Sequence, residues 1–132
     1  MQTETQNSAK HILTGRILSG LVIAFFLFDA AIKLIPMQGV LEVNAQLGYS
    51  ASTVPLTGVI MLICTALYAL PATSFFGAIL LTGYLGGATA THVRVGGPLF
   101  PIVFSMLFGV LVWAGLTLRN DKLRALVISP NE

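Results

Sequence analysis

The chain has 132 residues, 55% of them hydrophobic and 9% charged, with a formal net charge of +2 and a mean hydropathy of +0.87. Soluble domains carry about 25% charged residues, so this composition excludes an ordinary soluble fold and points to lipid. The seven Lys and Arg flank apolar runs instead of gathering on one surface, which excludes a nucleic-acid partner.

Residues 1–9 are polar and read as a mobile tail. A hydrocarbon core takes roughly 20 helical residues, with about 17 to 25 tolerated, and four apolar stretches fit: residues 12–35, 54–70, 72–91 and 99–118. They predict an all-α fold, one domain over residues 1–132, built as an integral membrane up-down four-helix bundle with short polar tails. The first stretch is expected to be retained. Phe28 breaks the small-x-small cleavage pattern before Ala31, and Asp29 interrupts the apolar region.

Asp29 and Lys33 lie four residues apart in that stretch, hence on one helical face. An unpartnered charge there costs several kcal/mol, about 2.5–3.5 at mid-bilayer on insertion scales. Lysine reaches the interface along its aliphatic stem, whereas aspartate is too short and has to be protonated, paired or wetted. Two uses stay open. The pair fixes helix rotation with Arg94 or His92 nearby, or these residues line an outward-opening pocket that binds a polar headgroup or passes a proton.

Residues 36–53 form the one long connection. Val40 to Leu47 has helical patterning with a stop at Gly48, which predicts a short helix across the outer mouth, an unstructured loop being the alternative. The second stretch carries a mildly polar stripe, Thr57, Met61, Cys64 and Tyr68, that with Tyr84 lines either a ligand cavity or a packed seam. Cys64 is the sole cysteine, so no internal disulfide or Cys-x-x-Cys site exists.

Leu70-Pro71-Ala72-Thr73 is a tight turn into the third stretch, which is rich in Gly83, Gly86, Gly87, Ala88 and Ala90. Gly83 and Gly87 form a G-x-x-x-G, so this helix is expected to pack closely at the centre of the bundle, or else to pair with a second copy in a homo-oligomer. His92 and Arg94 close it on the side of Lys33, Arg94 sharing a face with Gly83, Gly87 and Ala90. His92 is either a solvated interfacial residue or part of the pocket. His11 sits about 30 Å away at the opposite end, so the two histidines cannot clasp one haem iron, and no metal-ligand spacing occurs elsewhere. No self-sufficient catalytic site is visible. Redox chemistry would require an organic cofactor such as a quinone, or a partner protein.

Gly96-Gly97-Pro98 leads into the fourth stretch, followed by a C-terminal tail too short for a domain. With four spans, Lys10, Arg16, Arg119, Lys122 and Arg124 share one side and Lys33 and Arg94 the other. The excess places both termini in the cytoplasm, and Trp113 suits the headgroup level on that side.

From about Gly15 to Arg124 the chain resembles the DoxX-like membrane proteins. The likeness runs through Arg16-Ile17-Leu18-Ser19-Gly20, Phe28-Asp29-Ala30-Ala31-Ile32-Lys33-Leu34, Ala45-Gln46-Leu47-Gly48-Tyr49 and, above all, residues 80–94, with Gly83-Tyr84-Leu85-Gly86-Gly87 and Thr91-His92-Val93-Arg94. The resemblance implies a four-helix bacterial inner-membrane protein, with relatives tied to quinone-coupled thiosulfate oxidation and to oxidative-stress complexes with soluble partners. It also matches Lys33, His92 and Arg94 to the family's basic and histidine positions. The better-studied branch often has an acidic residue early in the second span, where this chain has Gly58-Val59-Ile60. The leading expectation is an accessory of membrane redox or stress physiology, binding a quinone-like or amphipathic molecule at the outer end through Asp29, Lys33, Tyr84, His92 and Arg94. The alternative is a non-catalytic assembly subunit docking another membrane protein through the Gly-rich helix. A transporter is disfavoured because four short helices lack inverted repeats and broken spans.

Overall fold

A computed structural model describes residues 2–128, which are helical apart from short connections. Its six helices are α1 (Gln2–Leu34), α2 (Gln38–Gln46), α3 (Val54–Ala69), α4 (Ser74–Arg94), α5 (Leu99–Arg119) and α6 (Asp121–Ile128). The four apolar stretches lie in α1, α3, α4 and α5.

The expected mobile tail is corrected, because α1 runs unbroken from Gln2. Its first turns hold Gln, Glu, Ala and Lys without Gly or Pro, and a helix already nucleated downstream extends through such residues at little cost. Ser8 adds a tether, donating from Oγ to Asp121 Oδ1 at 3.2 Å and accepting from Arg124 Nη2 at 3.2 Å. The C-terminal tail also begins as a helix: Asn120 Oδ1 accepts from the Leu123 amide at 3.1 Å, capping α6. Met1 and residues 129–132 of the two expected tails lie outside the described residues.

Pro36 stops α1, since it restricts Ile35 and offers no amide proton. The short helix expected after it is α2, which ends where the sequence places a stop. Gly48 takes φ +93, the Gly48 amide bonds Ala45 O at 3.0 Å and the Tyr49 amide bonds Asn44 O at 2.9 Å, a Schellman closure that favours glycine. The same closure at Gly96 and Gly97 ends α4, with bonds to Val93 O and His92 O.

α1 packs chiefly on α3 and α5, and α4 packs on the same two. Neighbours run antiparallel. A Cβ at Gly58, early in α3, would lie 3.0 Å from Lys33 Cβ near the end of α1, and one at Gly15, early in α1, would lie 2.4 Å from Arg119 N at the end of α5. The core between them contains Val22, Phe26, Ala30, Met61, Cys64, Tyr68, Ala78, Leu81, Leu85, Val112 and Leu116.

Among the described residues, two helices are long and apolar enough to cross a membrane, the Thr5–Leu34 part of α1 and all of α5. In their most apolar windows only 22% and 17% of the residues are buried. A core helix of a soluble protein would be mostly buried, so these apolar faces require a nonaqueous surrounding. α3 is apolar but has 16 residues.

Candidate functional site

The antiparallel order brings the ends of α1 and α4 together with α2 and the start of α3. Lys33 is the hub. Its Nζ donates to Asp29 Oδ2 at 2.7 Å and to Tyr84 OH at 3.1 Å, and it stands 5.5 Å from the centroid of the Tyr84 ring. The side chains of Lys33 and Asp29 keep 18% and 24% of their exposure, so the pair is only partly buried. One turn of helix supplies the Asp29 contact, as the spacing requires; the Tyr84 contact joins α1 to α4 and has no local cause. Gly58 lets α3 press on the Lys33 stem, with Ala30 O 3.1 Å from where its Cβ would be.

Two clefts open at this end. One, of about 270 Å³, is lined by Lys33, Tyr84, Gly83, Gly87, Thr91 and His92, with Asn44, Tyr49 and Thr57 at its edge. The other, of about 670 Å³, lies between α1 and α2 and shares Lys33, Asn44, Leu47 and His92 while adding Asp29. His92 therefore faces both, and its imidazole has no hydrogen-bond partner among the described residues.

Arg94 stands apart. Its Nη2 donates to Leu47 O at 2.8 Å, so it ties the end of α2 to α4 and lines neither cleft. Tyr49 OH and Thr91 Oγ1, 3.2 Å apart, make a second tie.

The close-packing expectation for the third stretch is corrected within this chain. A Cβ at Gly83, Gly86 or Gly87 would meet nothing within 4 Å. Gly83 and Gly87 open the first cleft, where any side chain would take up cleft space; Gly86 faces an apolar groove between α4 and α5. The glycines that let helices touch are elsewhere: at Gly77 a Cβ would fall 2.2 Å from Tyr68 N, and at Gly115, 2.6 Å from Ser19 Oγ. The polar stripe of the second stretch divides, with Met61, Cys64 and Tyr68 buried in the core and Thr57 on the cleft. Trp113 donates from Nε1 to Thr82 Oγ1 at 2.7 Å, linking α5 to α4.

Asn44, Tyr49 and Thr91 are lining residues that sequence patterning does not single out. The one available signal was the Gly48 stop, since the closure there turns Tyr49 back toward α4.

Chemically, the arrangement offers an ammonium held by a carboxylate and a phenol, beside an imidazole with no partner among the described residues, at one end of an apolar bundle. It can receive an anionic or carbonyl oxygen at Lys33 and exchange a proton at His92. Residues 17–115 match the model of the DoxX-like family. Comparison with curated proteins and with solved structures gives no match.

Proposed function

We infer that this chain, which belongs to the DoxX-like family, is a four-span protein of the bacterial inner membrane that binds a quinone-like or other amphipathic molecule at the α2 end of its bundle. What carries this reading is the meeting of Lys33, Asp29, Tyr84 and His92 around clefts kept open by Gly83 and Gly87. In lipid, ionisable groups are retained where they face an interior cavity and serve a pathway or ligand. Lys33 receives the polar head, Asp29 and Tyr84 hold the ammonium in place, His92 exchanges protons, and Arg94 adds positive potential while fastening the roof formed by α2.

The orientation follows from charge. Lys10, Arg16, Arg119, Lys122 and Arg124 lie at the end of the bundle opposite Lys33 and Arg94, which puts both termini in the cytoplasm and the clefts on the outer face. In this reading the chain acts as an accessory of membrane redox or stress physiology, working with a partner protein.

The test is mass spectrometry of quinones and lipids that copurify in mild detergent with the native chain, Lys33→Met, His92→Ala and Asp29→Asn. Loss of one quinone-class species in the first two variants, with the proteins still folded, is expected. Identical extracts from all four proteins would refute ligand binding. A second reading, an assembly subunit that docks a transmembrane helix of another protein, is favoured by the groove of about 1020 Å³ along Gly86, Ala90 and Gly109. It gains if a stable hetero-complex is isolated with no bound small molecule.

A further inference from the structure

The opposite end of the bundle carries a second polar cavity that the proposed function does not use. It measures about 310 Å³ and is lined by Arg16, Arg119, Ser74 and Asn120 among others. Two like charges border one small space. At Gly15 the backbones of α1 and α5 touch, a Cβ lying 2.4 Å from Arg119 N and 2.9 Å from Gly115 O. Arg16, the next residue, is thereby rooted beside the end of α5.

Neither arginine has a carboxylate partner among the described residues, whereas Arg124 pairs with Asp121. Arg119 is partly committed: Nη2 donates to Tyr68 O at 2.7 Å and its guanidinium carbon stands 4.6 Å from the Tyr68 ring centroid. Its Nε is buried with no acceptor among the described residues. Two guanidinium groups beside one cavity repel each other, and one anion between them relieves that repulsion. Asn120 uses Oδ1 on the Leu123 amide, which leaves its Nδ2 as a further donor.

We propose that this cavity is an anion site for a phosphate group, gripped by Arg16 and Arg119. The planar guanidinium fork matches phosphate oxygens in pairs. The position, at the end of an apolar bundle, suits either the headgroup of an acidic phospholipid or a soluble phosphate.

The test uses the full chain in a nonionic detergent, with Arg16→Gln and Lys122→Gln beside the native protein. Arg16 makes no hydrogen bond among the described residues, so its variant keeps the fold; Lys122 is an exposed basic residue at the same end, outside the cavity. One arm titrates inorganic phosphate against chloride at equal ionic strength and follows the unfolding temperature. The other measures, by native mass spectrometry, retention of phosphatidylglycerol relative to phosphatidylcholine. Native protein is expected to respond in at least one arm. The response should fall about ten-fold in Arg16→Gln and change by less than about two-fold in Lys122→Gln. A response to phosphate assigns a soluble ligand, and a response to phosphatidylglycerol alone assigns a headgroup. No response in either arm, an unchanged Arg16→Gln, or an equal loss in Lys122→Gln overturns the site.

Discussion

Gly77 and Gly83 lie six residues apart on α4, and the structure gives replacement by alanine opposite effects. At Gly77 the new methyl group would fall 2.2 Å from Tyr68 N and 2.4 Å from its Cα. Both obstacles are backbone, so no side chain can swing aside and α3 and α4 have to part by about 1 Å. Forcing extra atoms into a packed seam costs typically about 1–3 kcal/mol. The helix preference of alanine over glycine returns about 0.5–1 kcal/mol, so Gly77→Ala should lose about 1 kcal/mol net. At Gly83 nothing lies within 4 Å, and only the favourable term remains. The preference term is common to both variants, so they should differ by the overpacking cost, about 1–3 kcal/mol, a factor of roughly 5 to 150 in the folding equilibrium. Reversible unfolding in mixed micelles provides the measurement. Cys64, 5% exposed and the sole thiol, reports it through its labelling rate. If Gly83→Ala were as damaging as Gly77→Ala, the G-x-x-x-G would be a packing seam after all and the open cleft beside it an error.

Three further outcomes follow from single contacts. Gly83→Leu should fill the cleft between Lys33 and His92 and lower retention of the copurifying ligand at least about ten-fold, while the Cys64 labelling rate stays near that of the native protein. Tyr68 OH donates to Val112 O at 2.7 Å, so the 3.1 Å contact with Ser19 Oγ has serine as donor; Tyr68→Phe should cost about 1 kcal/mol, and a double-mutant cycle with Ser19→Ala should show coupling, whereas additive losses would exclude that bond. Arg94→Met removes the tie to Leu47 O and should speed hydrogen exchange across Gln38–Gln46 about ten-fold, leaving α1 and α5 unchanged.

Much of the helical layout was legible in the sequence because its signals are local. Apolar runs bounded by Pro36, Pro71 and Pro98, and stops at Gly48 and Gly96, place α2 to α5 without any tertiary contact. The Asp29–Lys33 bond is likewise local, set by one turn of helix. The extension of α1 to Gln2 was less legible, because polar residues that favour a helix only moderately are decided by whether a helix already stands beside them.

The candidate site divides along the same line. Lys33 and His92 could be assigned to one end of the bundle from chain order alone, and Tyr84 was set beside the polar stripe of the second stretch as a cavity candidate. Its bond to Lys33 depends on the rotation of α4 about its own axis, which a helix with small residues around much of its circumference does not announce. For the same reason the G-x-x-x-G read as a packing seam, although in the fold it borders space. Arg94, grouped with the others by position, turns to the α2 carbonyl because that orphan acceptor at a helix end is the nearest strong partner.

By itself, then, the chain's order of residues determined the environment, the number of long helices and which charges share an end, since hydropathy, proline and glycine act within a turn or two. The tertiary structure alone decided which glycines touch a neighbour, which tyrosine meets Lys33 and that Arg16 and Arg119 border one cavity. Those depend on the axial rotation and crossing of packed helices, and steric contact between residues far apart in the chain sets both.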